Sequence, residues 1–170
     1  MIDLQQPSMK LVTSYLDSIT EMQALGETIW EGWAPRPPES PSDFVQRLLR
    51  SEHSTSSGLV PASVYWAVSK ETVVGRISLR HYLNASLEEF GGHIGYEVRP
   101  SFRRKGIGKE MLRQLLELPK AKEIGRLLLT CAPDNIASSK TIIANGGVLE
   151  RTAFVEKQRR WTSYYWIDLR

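Results

Sequence analysis

The sequence predicts an α/β (α+β) fold occupying residues 1–170 as one domain. Its sheet is mixed and mostly antiparallel, flanked by helices, in the order β-αα-βββ-α-β-α-ββ. Three observations carry this prediction. Val64-Tyr-Trp-Ala-Val68 and Val73-Val-Gly-Arg-Ile-Ser-Leu-Arg80 flank a short polar turn, as in a hairpin. Ile107, Met111, Leu112, Leu115, Leu116 and Leu118 recur at helical spacing between Gly106 and Lys122. Arg126-Leu-Leu-Leu-Thr-Cys131 is a continuous apolar run of the length of a buried strand.

The remaining elements follow in order. Lys10-Leu-Val-Thr13 reads as a short opening strand, and Ser18-Ile-Thr-Glu21 fits a capping box for a helix reaching about Trp33. Ala34 to Pro41 holds four prolines and reads as a loop. Ser42-Asp43 would cap a second helix around Phe44–Arg50, with another polar loop over Ser51–Pro61. After the hairpin, Gly92–Val98 is a fourth strand closed by Pro100. Pro119 interrupts the long helix near its end. A further helix is expected from about Asn135 to Asn145, stopped by Gly146-Gly147, before closing strands at Val148–Val155 and Trp161–Leu169.

With 170 residues, 41% hydrophobic and 24% charged, the chain can bury a core, which excludes disordered, collagen-like and coiled-coil classes. Cys131 is the single cysteine, so neither an internal disulfide nor a metal cluster built on cysteines is available, and a reducing compartment is favoured. The opening Met1–Ser8 lacks the pattern of a secretory leader and no run of eighteen apolar residues occurs, so a soluble, cytoplasmic protein with no membrane partner is expected. A net charge of +3 is too small to point to nucleic acid.

The chemically informative segment runs from Gly95 to Glu110. A strand enters a basic loop, two glycines clear its crest, and an amphipathic helix begins there. Unpaired N–H groups and a positive dipole make such a helix start an anion site. Gly106, Ile107 and Gly108 would let an anion approach, and Arg103, Arg104, Lys105 and Lys109 add charge around it. A P-loop is excluded because no glycine stands five before Gly106 and Glu110 follows Lys109. The dinucleotide fingerprint fails because Met111 stands where a third glycine is needed.

Arg103-x-x-Gly106-x-Gly108 between strand and helix resembles the signature of the GCN5-related N-acetyltransferase (GNAT) superfamily, which holds the pyrophosphate of acetyl-CoA. Asp134-Asn-Ile-Ala-Ser138 through Asn145-Gly-Gly147 is similar to that family's next helix, and the order of elements agrees over nearly the whole chain. Gly92-His-Ile-Gly-Tyr-Glu-Val-Arg-Pro100 is closest to a bacterial branch of predicted acetyltransferases.

The resemblance implies transfer of acetyl from acetyl-CoA directly to a primary amine. It also implies pantetheine bonding near Tyr96 and Val98, with the Val98 amide as oxyanion donor, and Asn135 and Ser138 beside the cofactor. Two departures stand out: Ile142 replaces the tyrosine that usually protonates the leaving thiolate, and Gly147 replaces a phenylalanine. Ser138 and Tyr164, with Tyr165 as a competitor, are candidates for the missing acid. His93 and Glu97 are candidates for the base, although strand alternation sets them opposite Tyr96 and Val98. Asn135 and Ser138 would equally serve as local helix caps.

Trp30, Trp33, Glu27, Glu31, Trp161, Tyr164 and Tyr165 would suit a cationic acceptor. Besides catalysis, an acyl-CoA-binding domain without turnover fits the missing tyrosine. Nucleic-acid binding through the basic loop and Lys157-Gln-Arg-Arg160 fits less well, because these charges flank a turn rather than an aromatic groove. Two copies pairing through the closing strands would be ordinary.

Overall fold

The computed structural model describes residues 1–53 and 58–170. The strands are β1 (Asp3–Gln5), β2 (Ala62–Ser69), β3 (Thr72–Arg80), β4 (Ile94–Val98), β5 (Arg126–Cys131), β6 (Val148–Val155) and β7 (Arg160–Asp168). The α-helices are α1 (Val12–Ala24), α2 (Pro41–Arg50), α3 (Ala85–Glu89), α4 (Ile107–Glu117), α5 (Pro119–Ile124) and α6 (Ile136–Ile143). Strands β1-β2-β3-β4 form one antiparallel sheet and β5-β7-β6 a second.

Several boundaries differ from the sequence reading. The opening strand lies at 3–5, while 10–13 turns into α1. Ser18 sits inside α1 and donates to Tyr15 O instead of capping the helix, and Glu21 reaches out to Arg99. Helix α1 ends at Ala24, and only one 3-10 turn, Glu31–Trp33, precedes the proline loop. Ser40, not Ser42-Asp43, caps α2: its Oγ accepts from Asp43 N, with Pro41 in the first helical position, where it forfeits no intrahelical bond. Pro119 divides the long amphipathic stretch into α4 and α5. The short α3, capped by Asn84, was not expected. Part of the loop read over Ser51–Pro61, at 54–57, lies outside the described residues.

Two apolar clusters share the first sheet. Met111, Leu112 and Leu115 of α4 pack on Val74, Ile77 and Leu79 of β3, together with Leu127 and Leu129 of β5. On the other side, Tyr15 of α1 stacks on Trp66 of β2 at 4.5 Å, with Phe44 and Leu48 of α2 beside them. The central strand β3 is thus covered on both faces. Its alternation places Gly75, Ile77 and Leu79 under α4 and turns Arg76 and Ser78 to the opposite side.

Cross-links fix the helix that opens the anion loop. Gln114 of α4 accepts from Leu4 N and donates to Ile2 O, tying α4 to β1. Asn145 donates to Lys109 O, tying the end of α6 to the start of α4. Arg99, just after β4, pairs with Glu21 of α1, and Ser101 N donates to the same carboxylate. The bend between β4 and α4 is therefore held from three sides.

Candidate active site

Among the described residues, the backbone just before β4 is joined to the middle of β5. Gly92 bridges to Leu129, His93 N donates to Leu128 O at 2.7 Å, and Leu128 N donates to His93 Nδ1 at 2.9 Å. Beyond that point the two sheets part. Which β4 groups face the gap follows from the ladder. Arg80 N donates to His93 O and Arg99 N to Val74 O, so positions 93, 95, 97 and 99 bond to β3. The N–H and C=O groups of Ile94, Tyr96 and Val98 point the other way, toward the gap. Val98 O already accepts from Arg103 Nε, which leaves its N–H.

At the end of β4 the chain passes through Arg104, with φ of 61°, and Gly106, with φ of 77°, into α4. Among the described residues, the six consecutive N–H groups of residues 104–109 have no protein acceptor; the first to find one is Glu110 N, on Gly106 O. Nothing stands within 4 Å of where a Cβ on Gly106 would lie. A Cβ on Gly108 would sit 3.6 Å from Thr141 Oγ1 and Val98 Cγ2 and 3.8 Å from the Tyr96 ring, so the glycine keeps the cleft between β4 and α6 open. Arg104, Lys105 and Lys109 are exposed around this crest. Lys105 Nζ donates to Ser101 O. Arg103 is more engaged: its guanidinium grips the Glu27 carboxylate with both terminal nitrogens. The hydrogen bonds from Arg103, with its charge, hold that carboxyl below the usual range.

Across the cleft, Asn135 caps α6 by accepting from Ser138 N at 3.1 Å. Ser138 Oγ lies 2.8 Å from Tyr96 Oη. Burial pushes the Tyr96 phenol up to about 12, so it is a protonated hydroxyl at neutral pH. Burial likewise raises the Cys131 thiol. Ile142, where an acid was sought, is 1% exposed and belongs to the core.

The other candidates are distributed differently. Tyr164 is buried and its hydroxyl donates to Glu89 O. Tyr165 Oη lies 2.8 Å from Ser139 Oγ. His93 is 6% exposed with Nδ1 occupied, and burial, with the Arg80 charge, depresses it to about 4. Glu97 pairs with Arg76 at 2.7 Å, on the β4 face opposite Tyr96.

That opposite face borders a cavity of about 480 Å³ between α2, the Trp30–Arg36 segment and β2-β3. Of the aromatic residues expected at an acceptor site, Trp30 and Trp33 line it, whereas Trp161 packs edge-on against Phe154 on the closing hairpin. Glu27 is taken by Arg103, so the expected acidic cage does not assemble there. The arginines lining the cavity, Arg36, Arg47, Arg50 and Arg80, were missed in the sequence. Arg80 alone left a trace, the alternation Arg76-x-Ser78-x-Arg80 on a strand otherwise apolar enough to be central.

A family model described as an acetyltransferase (GNAT) domain matches residues 10–148. No curated protein sequence matches at a significant level. Among solved structures, the microcin C7 self immunity acetyltransferase MccE, in complex with acetyl-CoA and AMP, is 19% identical over 98% of this chain and 92% of its own, with a TM-score of 0.70. The ribosomal-protein-S5-alanine acetyltransferase of Vibrio fischeri is 18% identical over 99% and 92%, with a TM-score of 0.68. RimL, the ribosomal L7/L12 alpha-N-protein acetyltransferase, in complex with coenzyme A, is 18% identical over 99% and 94%, with a TM-score of 0.66. At these identities the structural likeness establishes the fold, and the family match over most of the length establishes descent: the chain belongs to the GNAT acetyltransferases.

Proposed function

We propose that this acyltransferase moves the acetyl group of acetyl-CoA directly to a primary amine, and that the main chain around α4 holds the donor. The run of unpaired N–H groups at 104–109 carries the reading. Six consecutive free donors leading into the positive end of an eleven-residue helix, with no side chain at Gly106 or Gly108, fit a diphosphate. Arg104, Lys105 and Lys109 supply charge from outside, while Arg103 pins the loop to Glu27. Pantetheine would run along the exposed β4 edge, bonding the outward groups of Tyr96 and the side chain of Asn135.

Acetyl-CoA supplies an activated thioester carbonyl; the remaining work belongs to the protein. The Val98 N–H points into the gap and serves as the oxyanion donor. Ser138 Oγ donates the proton to the departing sulfur, and Tyr96, 2.8 Å behind it, orients the serine and returns a proton to it, being itself reprotonated by solvent. Glu97 takes the amine proton: it lies on the cavity side of β4, with its carboxylate oriented by Arg76 at 2.7 Å. His93 is spent as a buried acceptor joining the two sheets, and Tyr164 as a donor to the α3 backbone.

No helix among the described residues is long and apolar enough to cross a membrane, consistent with a reaction in the cytoplasm. The edge strand β6, exposed from Val148 to Thr152, is the surface through which two copies would pair.

The deciding experiment is a thermal-shift and thiol-release screen with acetyl-CoA over classes of amine. Heat protection together with amine-dependent release of free coenzyme A is expected. Protection without release by any amine would reduce the protein to an acyl-CoA-binding domain, the reading that the core position of Ile142 keeps in view.

A further inference from the structure

The cavity beside α2 carries an excess of positive charge. Four of its lining side chains are arginines, against the carboxylates Glu39 and Asp43. Glu39 is fully used: Arg47 binds both of its oxygens, at 2.7 and 3.0 Å, and Arg36 N donates to it. Asp43 accepts from Ser40 Oγ at the start of α2. Arg36, Arg50 and Arg80 have no ion-pair partner among the described residues, and residues 54–57 are Ser-Thr-Ser-Ser, with no carboxylate to offer.

Arg80 matters most because it is half-buried in the cavity wall. A single nitrogen, Nη1, donates to Gly91 O at 3.2 Å and Gly92 O at 2.9 Å, while Nε and Nη2 have no partner among the described residues. Burial without a counter-charge pulls its pKa below the ordinary arginine value, which is the cost an incoming anion would remove. Behind the wall, Arg76 lies 3.2 Å from the centre of the Trp33 ring, with Nη1 buried and unpartnered. The inner end of the cavity meets the reaction strand: Trp33 and Ser78 line it, Ser78 Oγ donates to Gly95 O, and a Cβ on Gly95 would lie 3.2 Å from Trp33. Trp30, half exposed, extends the aromatic wall outward.

We propose that this cavity is the acceptor subsite and selects an amine whose molecule also carries an oxyanion, a carboxylate or a phosphate, beside a planar apolar body. The anion seats on Arg80, the ring lies along Trp30 and Trp33, and the amine reaches β4 near Gly95 and Glu97. The assignment rests on the acetyltransferase reading but specifies what that reading leaves open, and it reverses the cationic acceptor that the sequence suggested. An anion compensates a guanidinium already desolvated by the fold, whereas a polyamine would add like charge to it.

The test measures binding separately from turnover. With coenzyme A present, phenylalanine is titrated against phenylalaninamide, and adenosine monophosphate against adenosine, by calorimetry. The pairs separate a carboxylate source from a phosphate one. The anionic member of at least one pair is expected to bind tenfold or more tightly, and Arg80→Met to shrink that preference to within about twofold. Because Arg80 also ties the Gly91-Gly92 turn, the exposed variant Arg50→Ser provides a second reading, with a preference reduced about threefold. Equal binding within both pairs, tighter binding of spermidine than of either anion, no binding by any probe, or a preference unchanged in both variants would overturn the proposal. With acetyl-CoA supplied in place of coenzyme A, absent thiol release from phenylalanine or phenylalaninamide that does bind would count against acetyl transfer, not against the anion site.

Discussion

The loop before α4 and the cavity beside α2 both present positive potential, but they are built from different materials. At the loop the donors are main-chain N–H groups, aligned by a helix and uncovered by Gly106 and Gly108. In the cavity they are guanidinium groups carried by α2 and β3, partly neutralised by Glu39. A backbone donor array depends on conformation and tolerates changes among its neighbouring side chains. A side-chain array depends on identity. The contrast explains how a family can keep one acyl donor while its acceptors diverge.

The largest expected effect breaks the main-chain site. Gly108→Leu should cost at least a hundredfold in acetyl-CoA affinity, because the branched side chain must enter a space already bounded by Thr141, Val98 and Tyr96 at 3.6 to 3.8 Å. Circular dichroism and the unliganded melting temperature check that the fold survives, and heat protection by acetyl-CoA reports the loss. Arg103→Ala should cost less than about tenfold in the same assay, since its terminal nitrogens are held by Glu27. A reversal of that order would mean that the signature arginine, rather than the amide array, holds the phosphates.

A second measurement addresses the proton for the leaving thiolate. Ser138→Ala should lower kcat by roughly a hundredfold with little change in KM for acetyl-CoA, the scale of one positioned general acid. Tyr96→Phe should lower it by about tenfold and leave the alkaline limb of the pH–rate profile where it is, because a hydroxyl raised to about 12 remains protonated across the assay range. An unchanged kcat in both variants would remove the pair from the reaction.

What was legible in the sequence tracks the same contrast. The loop could be placed because its glycines, basic residues and helix lie within one short segment, where a local pattern determines the geometry. Strand β5 and the β2-β3 hairpin were equally local, the hairpin closing through Lys70 and Glu71 at φ of 46° and 64°. Capping was misplaced because Ser18-x-x-Glu21 satisfies the pattern inside a helix whose Glu21 is needed by Arg99, a contact 78 residues away. The cavity arginines, apart from the alternation that ends at Arg80, were hidden for the same reason. Arg47 finds Glu39 only after the proline loop folds back, and Arg80 faces inward only because α2 covers the sheet.

Arg47 allows the side-chain site to be broken without touching the loop. Its guanidinium holds Glu39 and donates to Gly32 O and Ala34 O, so it fixes the segment that carries Trp33. Arg47→Met should destabilise the fold by about 2 kcal/mol, the scale of a charge and two carbonyls left short of partners in a half-buried place. Urea denaturation measures it, and acetyl-CoA protection should persist in the folded fraction. A loss below about 0.5 kcal/mol would show that the segment is held by its aromatic contacts instead.

The smallest effect lies at the junction between the two sheets. Burial, with the Arg80 charge, depresses the His93 imidazole to about 4 in the folded protein, below the ordinary 6.5, and the neutral ring accepts from Leu128 N. The unfolded chain therefore takes up a proton first as the pH falls, and stability declines between the two values. From about pH 7.5 to about pH 5.5 the His93 contribution should fall by ~1 kcal/mol. His93→Asn retains an acceptor close to the Nδ1 position and cannot titrate, so its urea midpoint should lack that slope. If wild type and variant lose stability in parallel over this interval, the proton enters elsewhere, and the junction of β4 with β5 owes nothing to the neutrality of His93.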